Sequence, residues 1–503
     1  MNDLCKNTSL VNYSFEDFRV GDVAIFNRTF SVDEFEAFEK LSGDSNPLYC
    51  NSAYAKTTKF SQPIVPLHLI IAPLSRVAGM IFPGNPSLYL GHEVRASQPV
   101  YYGDSLTYSA KIDSINRPHR ILTIRVIAIR NTEIVLDALM RVQSLQDEWQ
   151  SPLPRAKVIK SGTPAYALVT GSSGEIGKAI ALALAGEGWK LILQDRGADS
   201  RRKELGKALD RFGACYEFIA SDLCCKQSLQ AVAKAIKEKD ETLGLIVHTA
   251  SSGVKSSLDE LVATNYSALK TITEAALPGF LSKQTGIVLL ISSIHVYRSV
   301  IGWDNYTAAK TMATGYISGI DRIFSVFGVR GISILPGAVA TGFSAPYRGE
   351  TPALLPEELA AETINIIKEP DSGVVTFEIG TRQKGYFGIH FFDIKANTKA
   401  SGITYTASSS EDETGSTSNS VKPTVNIREK LKGLIKYILR TPDAEDLNSG
   451  GLGITPGWDS LSQIEIIIAI ESEFGVSFSS DEISELTQYG TLEKMVLRKL
   501  GEA

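Results

Sequence analysis

The sequence predicts a multidomain protein: an α+β domain, then an α/β domain with a doubly wound parallel sheet, then an all-α helical bundle. The chain has 503 residues, which at about 150 residues per domain corresponds to roughly three domains. Alternating strand-like runs give way near residue 163 to short apolar runs that alternate with helical stretches, as in βαβ units. Residues 396–425 are rich in Ser and Thr, and helix-period apolar positions follow them.

Composition and charge exclude several classes of protein. No apolar run reaches the roughly 18 residues that a membrane span needs, and the N-terminus lacks the segments of a secretory signal, so we expect a cytoplasmic protein. The net charge of −5 argues against nucleic acid as the main partner. The cysteines have no metal-ligand spacing, so we expect no metal site and reduced thiols at Cys5, Cys50, Cys215, Cys224 and Cys225.

The first domain, residues 1–155, is predicted to mix helices and strands. A helix-like stretch at 31–41 precedes a loop, 42–47, and an apolar stretch follows at 64–81. Apolar and polar residues then alternate in three strand-like runs, at 105–112, 121–129 and 133–142.

Residues 12–147 resemble the MaoC-type hot-dog hydratases and dehydratases through 18–22 (FRVGD), 42–47 (SGDSNP) and 99–104 (PVYYGD). That family's D-x-N-P-x-H loop implies an Asp and a His that activate water, and here Asp44 and Asn46 are kept while Tyr49 replaces the His. A phenol titrates near pH 10 and an imidazole near 6.5, so Tyr49 is a poor base. We expect a degenerate domain that binds acyl chains or self-associates, with a residual site at Asp44, Asn46 and Tyr49; His68 or His92 are possible substitutes.

The second domain, residues 163–395, opens with a strand, a Gly-rich turn and a helix. The turn runs from Gly171 to Gly177, and such turns let backbone N–H groups and a helix N-terminus approach a pyrophosphate. Further along, Tyr306 and Lys310 form an i, i+4 pair on one helical face. The Lys310 ammonium is expected to favour the Tyr306 phenolate and so to lower the pKa of a proton donor that titrates near 10.

Residues 163–380 resemble the short-chain dehydrogenase/reductase family and its Rossmann fold, and within it the 3-oxoacyl-carrier-protein reductases. The resemblance implies a catalytic tetrad of Asn265, Ser293, Tyr306 and Lys310. It also implies a dinucleotide site formed by Gly171, Ser172, Ser173, Gly174, Ile176, Gly177, Asp195, Arg196, Asp222, Leu223, Ala250, Pro336, Gly337 and Thr341.

Two departures affect the dinucleotide site. Glu175 occupies a glycine position of the family's TGxxxGxG turn, where its side chain either crowds the cofactor or points to solvent. The family's NNAG segment is here residues 248–251, His-Thr-Ala-Ser. Cofactor choice stays open, because Asp195 favours the ribose hydroxyl of NADH and the adjacent Arg196 favours the 2′-phosphate of NADPH. With Arg201 and Arg202 nearby, we predict NADPH.

Residues 396–425 are predicted to be a flexible linker, because they contain almost no large apolar residues. Residues 426–503 resemble acyl carrier proteins through Asp459-Ser460-Leu461, which implies a 4′-phosphopantetheine arm on Ser460. A phosphate ester there would lie at a helix N-terminus. Between Thr441 and Glu493 there are eleven acidic residues and no Lys or Arg, a surface suited to basic partner enzymes.

The sequence thus predicts NADPH-dependent reduction of a 3-oxoacyl thioester carried on Ser460. Expected partners are a phosphopantetheinyl transferase, a ketosynthase or acyltransferase that docks the acidic carrier face, and a second copy of the chain. Two alternatives stay open: a reductase that is also a 3-hydroxyacyl dehydratase, and a non-catalytic scaffold that presents the carrier.

Overall fold

The computed structural model describes most of the chain. Its described residues are 10–145, 148–152, 156–162, 165–197, 199–240, 242–298, 300–348, 353–369, 373–378, 381–385, 424–439, 450–451, 455, 458, 463, 466–467, 470, 474, 476, 478, 482 and 486–500. Contacts divide the chain into two units, Met1–Thr404 and Tyr405–Ala503. In the described part, no helix is both long and apolar enough to cross a membrane.

The N-terminal domain is a curved antiparallel sheet around short helices. Its strands are β1 (Leu10–Ser14), β2 (Val23–Thr29), β3 (Ser87–Ala96), β4 (Ser105–Asn116), β5 (Ile121–Arg130), β6 (Glu133–Ser144), β7 (Glu148–Pro152) and β8 (Lys157–Ile159). Its helices are α1 (Val32–Ser42), α2 (Pro47–Cys50), α3 (Ser52–Ala55), α4 (Leu67–Ile71) and α5 (Pro73–Met80). The main sheet has the strand order β3-β6-β5-β4-β2-β8, and β1 pairs with β7.

Alternation along the strands decides which side chains enter this core. In β5, Leu122, Ile124 and Val126 are fully buried and pack with Leu74 and Val77 of α5. Successive strand residues point to opposite faces of a sheet, so these three lie on one face. The α+β domain predicted from the alternating runs is confirmed, and so is the hot-dog fold that the family resemblance implied.

The second domain is a sheet whose helices pack on both faces. Its strands are β9 (Tyr166–Thr170), β10 (Lys190–Asp195), β11 (Tyr216–Ala220), β12 (Leu243–His248), β13 (Gly286–Ile291), β14 (Val329–Pro336), β15 (Gly373–Glu378) and β16 (Thr381–Gly385). Its helices are α6 (Glu175–Gly186), α7 (Asp199–Asp210), α8 (Lys226–Glu238), α9 (Leu258–Val262), α10 (Ala268–Lys283), α11 (Asp304–Phe324), α12 (Ala345–Arg348) and α13 (Pro356–Lys368).

Sheet topology positions the site. The order is β11-β10-β9-β12-β13-β14-β15-β16, and all neighbours are parallel except β15 and β16. The strand order reverses between β9 and β12, and in open α/β sheets ligands bind beyond the carboxyl ends of the strands at such a point. The predicted Rossmann-type parallel sheet is confirmed.

The hot-dog sheet rests directly on the second domain. Ile127 and Ile129, on the face of β5 opposite its own core, are buried in a cluster with residues of α10. The side-chain amide of Gln284, which follows α10, donates to the carbonyl oxygens of Ser109 and Arg125 at 3.1 and 3.2 Å. At β5, therefore, one face of the hot-dog sheet packs on its own core and the other face packs on the second domain.

Two helices of the C-terminal unit are described along their length, α14 (Thr424–Leu439) and α15 (Tyr489–Lys499). Helix α14 begins inside the predicted linker 396–425, most of which lies outside the described residues. Leu431, Ile435 and Val496 are buried in one apolar cluster with Trp458. These positions repeat at helical spacing, which gives each helix an apolar face.

Candidate active site

A large cleft lies at the carboxyl edge of the parallel sheet, with a volume of about 1480 Å³. Its walls come from the segments that follow β9, β10, β11, β12, β13 and β14. Every residue predicted for the dinucleotide site lines it, as do Ser293, Tyr306 and Lys310. Asn265 does not line the cleft; it is fully buried behind it.

The Gly-rich turn packs too tightly for side chains at two of its glycines. Gly171 has φ +67°, and a Cβ there would lie 2.9 Å from the backbone of Ala250. A Cβ on Gly177 would lie 2.3 Å from the Gly171 carbonyl oxygen. Gln194, which the sequence analysis missed, accepts from the Gly171 N–H at 3.1 Å and donates to the Ser221 carbonyl. The turn is thus held in the shape that a dinucleotide cradle requires.

Glu175 is exposed, and its carboxylate also has a hydrogen-bond partner within the protein. Its side chain crosses the cleft, and Oε2 accepts a hydrogen bond from the backbone N–H of Gly342 at 2.6 Å. Glu175 is the first residue of α6, whereas Gly342 belongs to the loop after β14. Both line the cleft, so the substitution links its two sides.

The carboxylate of Asp195 is already engaged. Arg202 Nη2 lies 2.7 Å from its Oδ1, and the Gly197 N–H donates to the same oxygen at 2.6 Å. The Asp195 side chain is 1% exposed. The three arginines near this strand end were predicted to act together, but Arg202 pairs with Asp195 and only Arg196 and Arg201 line the cleft.

Asp222 and Leu223 follow β11 on the same wall. The Asp222 carboxylate accepts from the backbone N–H of Cys224 at 3.0 Å, and Ser228 Oγ accepts from the Asp222 N–H at 2.8 Å. Leu223 is 6% exposed. This turn presents a carboxylate and an apolar surface to the cleft.

Tyr306, Ser293 and Lys310 meet at the base of the cleft. Tyr306 and Ser293 both line the cleft, and Lys310 Nζ donates to the Ile291 carbonyl at 3.0 Å. Ser293 lies two residues after the end of β13 and caps the next short turn by accepting from the His295 N–H. The helical i, i+4 spacing of Tyr306 and Lys310 brings both side chains to this point.

The expected direction of the Tyr306 pKa is wrong for this chain. Burial raises the pKa of Tyr306 to about 12, and the nearby Ser293 side chain opposes this rise. Burial also lowers the pKa of Lys310 to about 7. A lysine that is only partly charged at neutral pH stabilises a phenolate weakly, so desolvation outweighs the predicted attraction.

Asn265 lies in a π-helical turn, Ala263–Ser267, between α9 and α10. Its Nδ2 donates to the Leu261 carbonyl at 2.9 Å, while its Oδ1 is buried without a hydrogen-bond partner among the described residues. A buried unpaired acceptor is costly unless something else binds it. The Oδ1 atom is therefore suited to a water or another donor.

His248, at the end of β12, supports that turn and was noted in the sequence only as a departure from the family pattern. Its Nε2 lies 3.1 Å from the Thr264 carbonyl oxygen, and its Nδ1 lies 2.9 Å from Thr170 Oγ1. The carbonyl can only accept, so Nε2 carries the proton and Nδ1 accepts from the threonine. The imidazole joins the end of β9 to the turn that holds Asn265.

Apolar side chains surround the catalytic end of the cleft. The ring of Trp303 lies 5.6 Å from that of Tyr306, and the ring of Phe343 lies 6.0 Å from it. Phe343 and Val300 line the cleft and are each 40% exposed. This end of the cleft is suited to an apolar substrate group.

The hot-dog residues Asp44, Asn46 and Tyr49 occupy the loop between α1 and α2 and the start of α2. Asn46 Oδ1 caps α2 by accepting from the Leu48 N–H, and Asp44 Oδ1 accepts from the Asn46 N–H at 3.2 Å. Asp44 is half-buried. The loop is therefore ordered by its own side chains, with one carboxylate partly accessible.

Tyr49 packs its ring against Phe35 at 6.0 Å. Burial, together with Cys50 and Tyr49, raises the pKa of Tyr102, whose buried hydroxyl has no hydrogen-bond partner among the described residues. The two possible substitutes for the missing histidine are both exposed, and His92 bonds to Tyr89 at 2.9 Å. No contact of His68 or His92 with Asp44 is found in the described part of the chain.

The predicted attachment residues Asp459 and Ser460 lie outside the described residues. Their described neighbours form a buried link, because Trp458 Nε1 donates to Gln463 Oε1 and Gln463 Nε2 donates to the Leu486 carbonyl at 2.6 Å. Trp458 is 1% exposed.

Comparison with known proteins agrees with the families that the first and second domains resemble. Residues 165–351 match the model of the short chain dehydrogenases, and residues 21–133 match the MaoC like domain. An (R)-specific enoyl-CoA hydratase of Aeromonas caviae is 35% identical over 22% of this chain and 86% of its own length. An uncharacterized oxidoreductase of Staphylococcus saprophyticus is 28% identical over 41% of this chain and 91% of its own length.

Among solved structures, a short-chain dehydrogenase of Sphingobium yanoikuyae in complex with NADPH aligns with a TM-score of 0.40 and 21% identity, covering 50% of this chain and all of its own. The chain belongs to the MaoC-like family through its N-terminal domain, and its second domain contains the stretch, residues 165–351, that matches the short chain dehydrogenase model.

Proposed function

We propose that this protein reduces a 3-oxoacyl thioester to the 3-hydroxyacyl thioester with NADPH, and that the acyl group is carried on a phosphopantetheine arm at Ser460. The observation that carries the reductase is that Ser293, Tyr306 and Lys310 line the same cleft as the Gly-rich turn. Proton donor, carbonyl-binding hydroxyl and dinucleotide cradle are thus in one place.

The residues fit a dinucleotide. Glycine is required where a Cβ on Gly171 or Gly177 would meet backbone atoms, and the N-terminus of α6 lies beside the turn, where it favours phosphate. Arg196 and Arg201 on the cleft wall favour a 2′-phosphate, while Arg202 neutralises Asp195. The bound dinucleotide supplies the hydride.

The protein's own residues position the carbonyl and move the proton. The Ser293 hydroxyl donates to the carbonyl oxygen, and Tyr306 gives its proton to the same oxygen as the alcohol forms. A pKa of about 12 keeps Tyr306 protonated before the reaction, so the proton is available. Burial lowers the pKa of Lys310 to about 7, so only the charged fraction of Lys310 stabilises the phenolate that is left. Asn265 Oδ1 is suited to hold a water that returns the proton.

The choice of an acyl thioester has two supports. Trp303, Phe343 and Val300 make the catalytic end of the cleft apolar. The Aeromonas caviae relative of the N-terminal domain is named for an enoyl-CoA substrate. An enoyl thioester differs from a 3-hydroxyacyl thioester by one water, and the latter is the product of 3-oxoacyl reduction, so one chain would handle consecutive intermediates.

This relationship also favours a second candidate, a reductase that is also a dehydratase. Asp44 is kept and accessible, while Tyr49 replaces the expected general base.

Mass spectrometry of the Ser460 peptide tests both candidates. After Ser460 has been loaded with an acetoacetyl-pantetheine arm and NADPH has been added, we expect the mass of the loaded peptide to increase by two hydrogens. Subsequent loss of water would support the dehydratase, an arm that stays unchanged would contradict the reductase, and failure to load would contradict the carrier.

A further inference from the structure

The contact between Glu175 and Gly342 is specific to this chain's version of the Gly-rich turn. A glycine at residue 175, as in the family pattern, has no side chain to reach the loop after β14. Here the carboxylate accepts the Gly342 N–H at 2.6 Å across 167 residues of sequence. A hydrogen bond to an ionised carboxylate is roughly twice as strong as a neutral one, so the bond ties the loop to the turn.

The position of the carboxylate also gives it an electrostatic role. Glu175 is the first residue of α6, beside the N-terminus that would face a diphosphate. In the described part of the chain, no ion pair involves Glu175, and the nearby Lys178 pairs with Glu204 instead. An exposed, unpaired carboxylate on the wall of this cleft repels the phosphates of a dinucleotide.

We infer that Glu175 is a latch: it ties Gly342 to the Gly-rich turn before the dinucleotide binds, and this contact breaks on binding, so that Glu175 weakens dinucleotide affinity. The inference rests on the proposed dinucleotide site. It makes Glu175 a residue that sets affinity, with no part in proton transfer.

Two variants separate the charge from the contact. Glu175→Gln keeps an oxygen that can accept the Gly342 N–H but removes the charge, and Glu175→Gly removes both. The matched control is Glu187→Gln, which removes a carboxylate at the other end of α6, where Glu187 pairs with Lys368 at 2.7 Å. A helix of 12 residues places the two ends about 18 Å apart.

The first measurement is hydrogen exchange of the 336–348 segment in the full chain without dinucleotide. We expect faster exchange at Gly342 in Glu175→Gly, slightly faster exchange in Glu175→Gln, and no change in the control. Unchanged exchange in Glu175→Gly would overturn the latch. Melting temperature checks that each variant is folded.

The second measurement is the dissociation constant for NADPH by calorimetry at low and high salt. Both Glu175 variants should bind roughly fivefold more tightly than the parent chain, and the difference should shrink as salt screens the charge. If the parent chain and the variants bind NADPH equally well, the inference about Glu175 is overturned while the proposed dinucleotide site stands. Failure of the parent and of every variant to bind NADPH or NADH would overturn the proposed dinucleotide site, and the inference with it.

Discussion

Arg202 and Asp195 form a buried ion pair at the end of β10, with Nη2 and Oδ1 2.7 Å apart and Nε 2.8 Å from the same oxygen. The pair neutralises the one carboxylate that would otherwise favour NADH at this strand end. Because Arg202 is occupied, we expect cofactor choice to depend on the two other arginines near this strand end, Arg196 and Arg201, which line the cleft.

Replacing these two arginines should therefore weaken NADPH binding selectively. Loss of one charge-assisted hydrogen bond costs about 1.5–3 kcal/mol, so Arg196→Ala or Arg201→Ala should raise the dissociation constant for NADPH by roughly tenfold or more. The constant for NADH should stay nearly unchanged. Calorimetry with both dinucleotides measures this, and equal losses for NADPH and NADH would show that neither side chain reads the 2′-phosphate.

The acid sensitivity of the fold should depend on His248. Burial lowers its pKa to about 3, whereas an unfolded histidine titrates near 6.5. Between these values the unfolded chain binds a proton that the folded chain does not, so the free energy of unfolding falls as pH falls below 6.5. At 1.36 kcal/mol per pKa unit, about 3 kcal/mol is lost by pH 4.5.

His248→Gln removes this titration and keeps a donor for the Thr264 carbonyl. Denaturant unfolding at pH 7.5 and 4.5 should show a loss on acidification smaller by about 3 kcal/mol than in the parent chain. His119→Gln, at an exposed position, is the control and should match the parent. If His248→Gln loses as much stability as the parent, His248 is not the group responsible.

Local patterns were enough to predict most of the elements. Alternation located β4, β5 and β6, and the Gly-rich turn located β9 and α6. The residues around the cleft were predictable because they follow the carboxyl ends of successive parallel strands, which meet at one edge.

Contacts between distant segments were not predictable. Glu175 and Gly342 are 167 residues apart, and no local sequence pattern predicts that the Glu175 carboxylate accepts the Gly342 N–H. The pairing of Arg202 with Asp195 depends on how α7 packs beside β10. The direction of the Tyr306 pKa depends on burial, which i, i+4 spacing alone does not reveal.

Tyr306→Phe should abolish reduction while preserving the cleft. It removes only the hydroxyl that donates the proton, and general acid catalysis contributes roughly 10²–10⁴-fold in rate. We expect kcat to fall by that factor, with the dissociation constant for NADPH within about twofold of the parent. Tyr297→Phe, which deletes the same atom from a half-buried tyrosine that does not line the cleft, should leave both values unchanged. A full rate with Tyr306→Phe would contradict the proposed proton donor.

Restoring an imidazole to the hot-dog loop should create or raise hydratase activity. In the parent chain Asp44 is half-buried and accessible in part, but Tyr49 offers a phenol whose ring packs on Phe35. An imidazole exchanges protons near neutral pH and a phenol does not, so Tyr49→His should accelerate hydration of a crotonyl thioester by roughly 10²-fold. The loss of absorbance of the enoyl thioester measures the rate of hydration. Asp44→Asn in the Tyr49→His chain should remove the gain; a gain that survives this change would mean that Asp44 takes no part, and an unchanged rate in Tyr49→His would mean that the loop no longer presents a hydratase geometry.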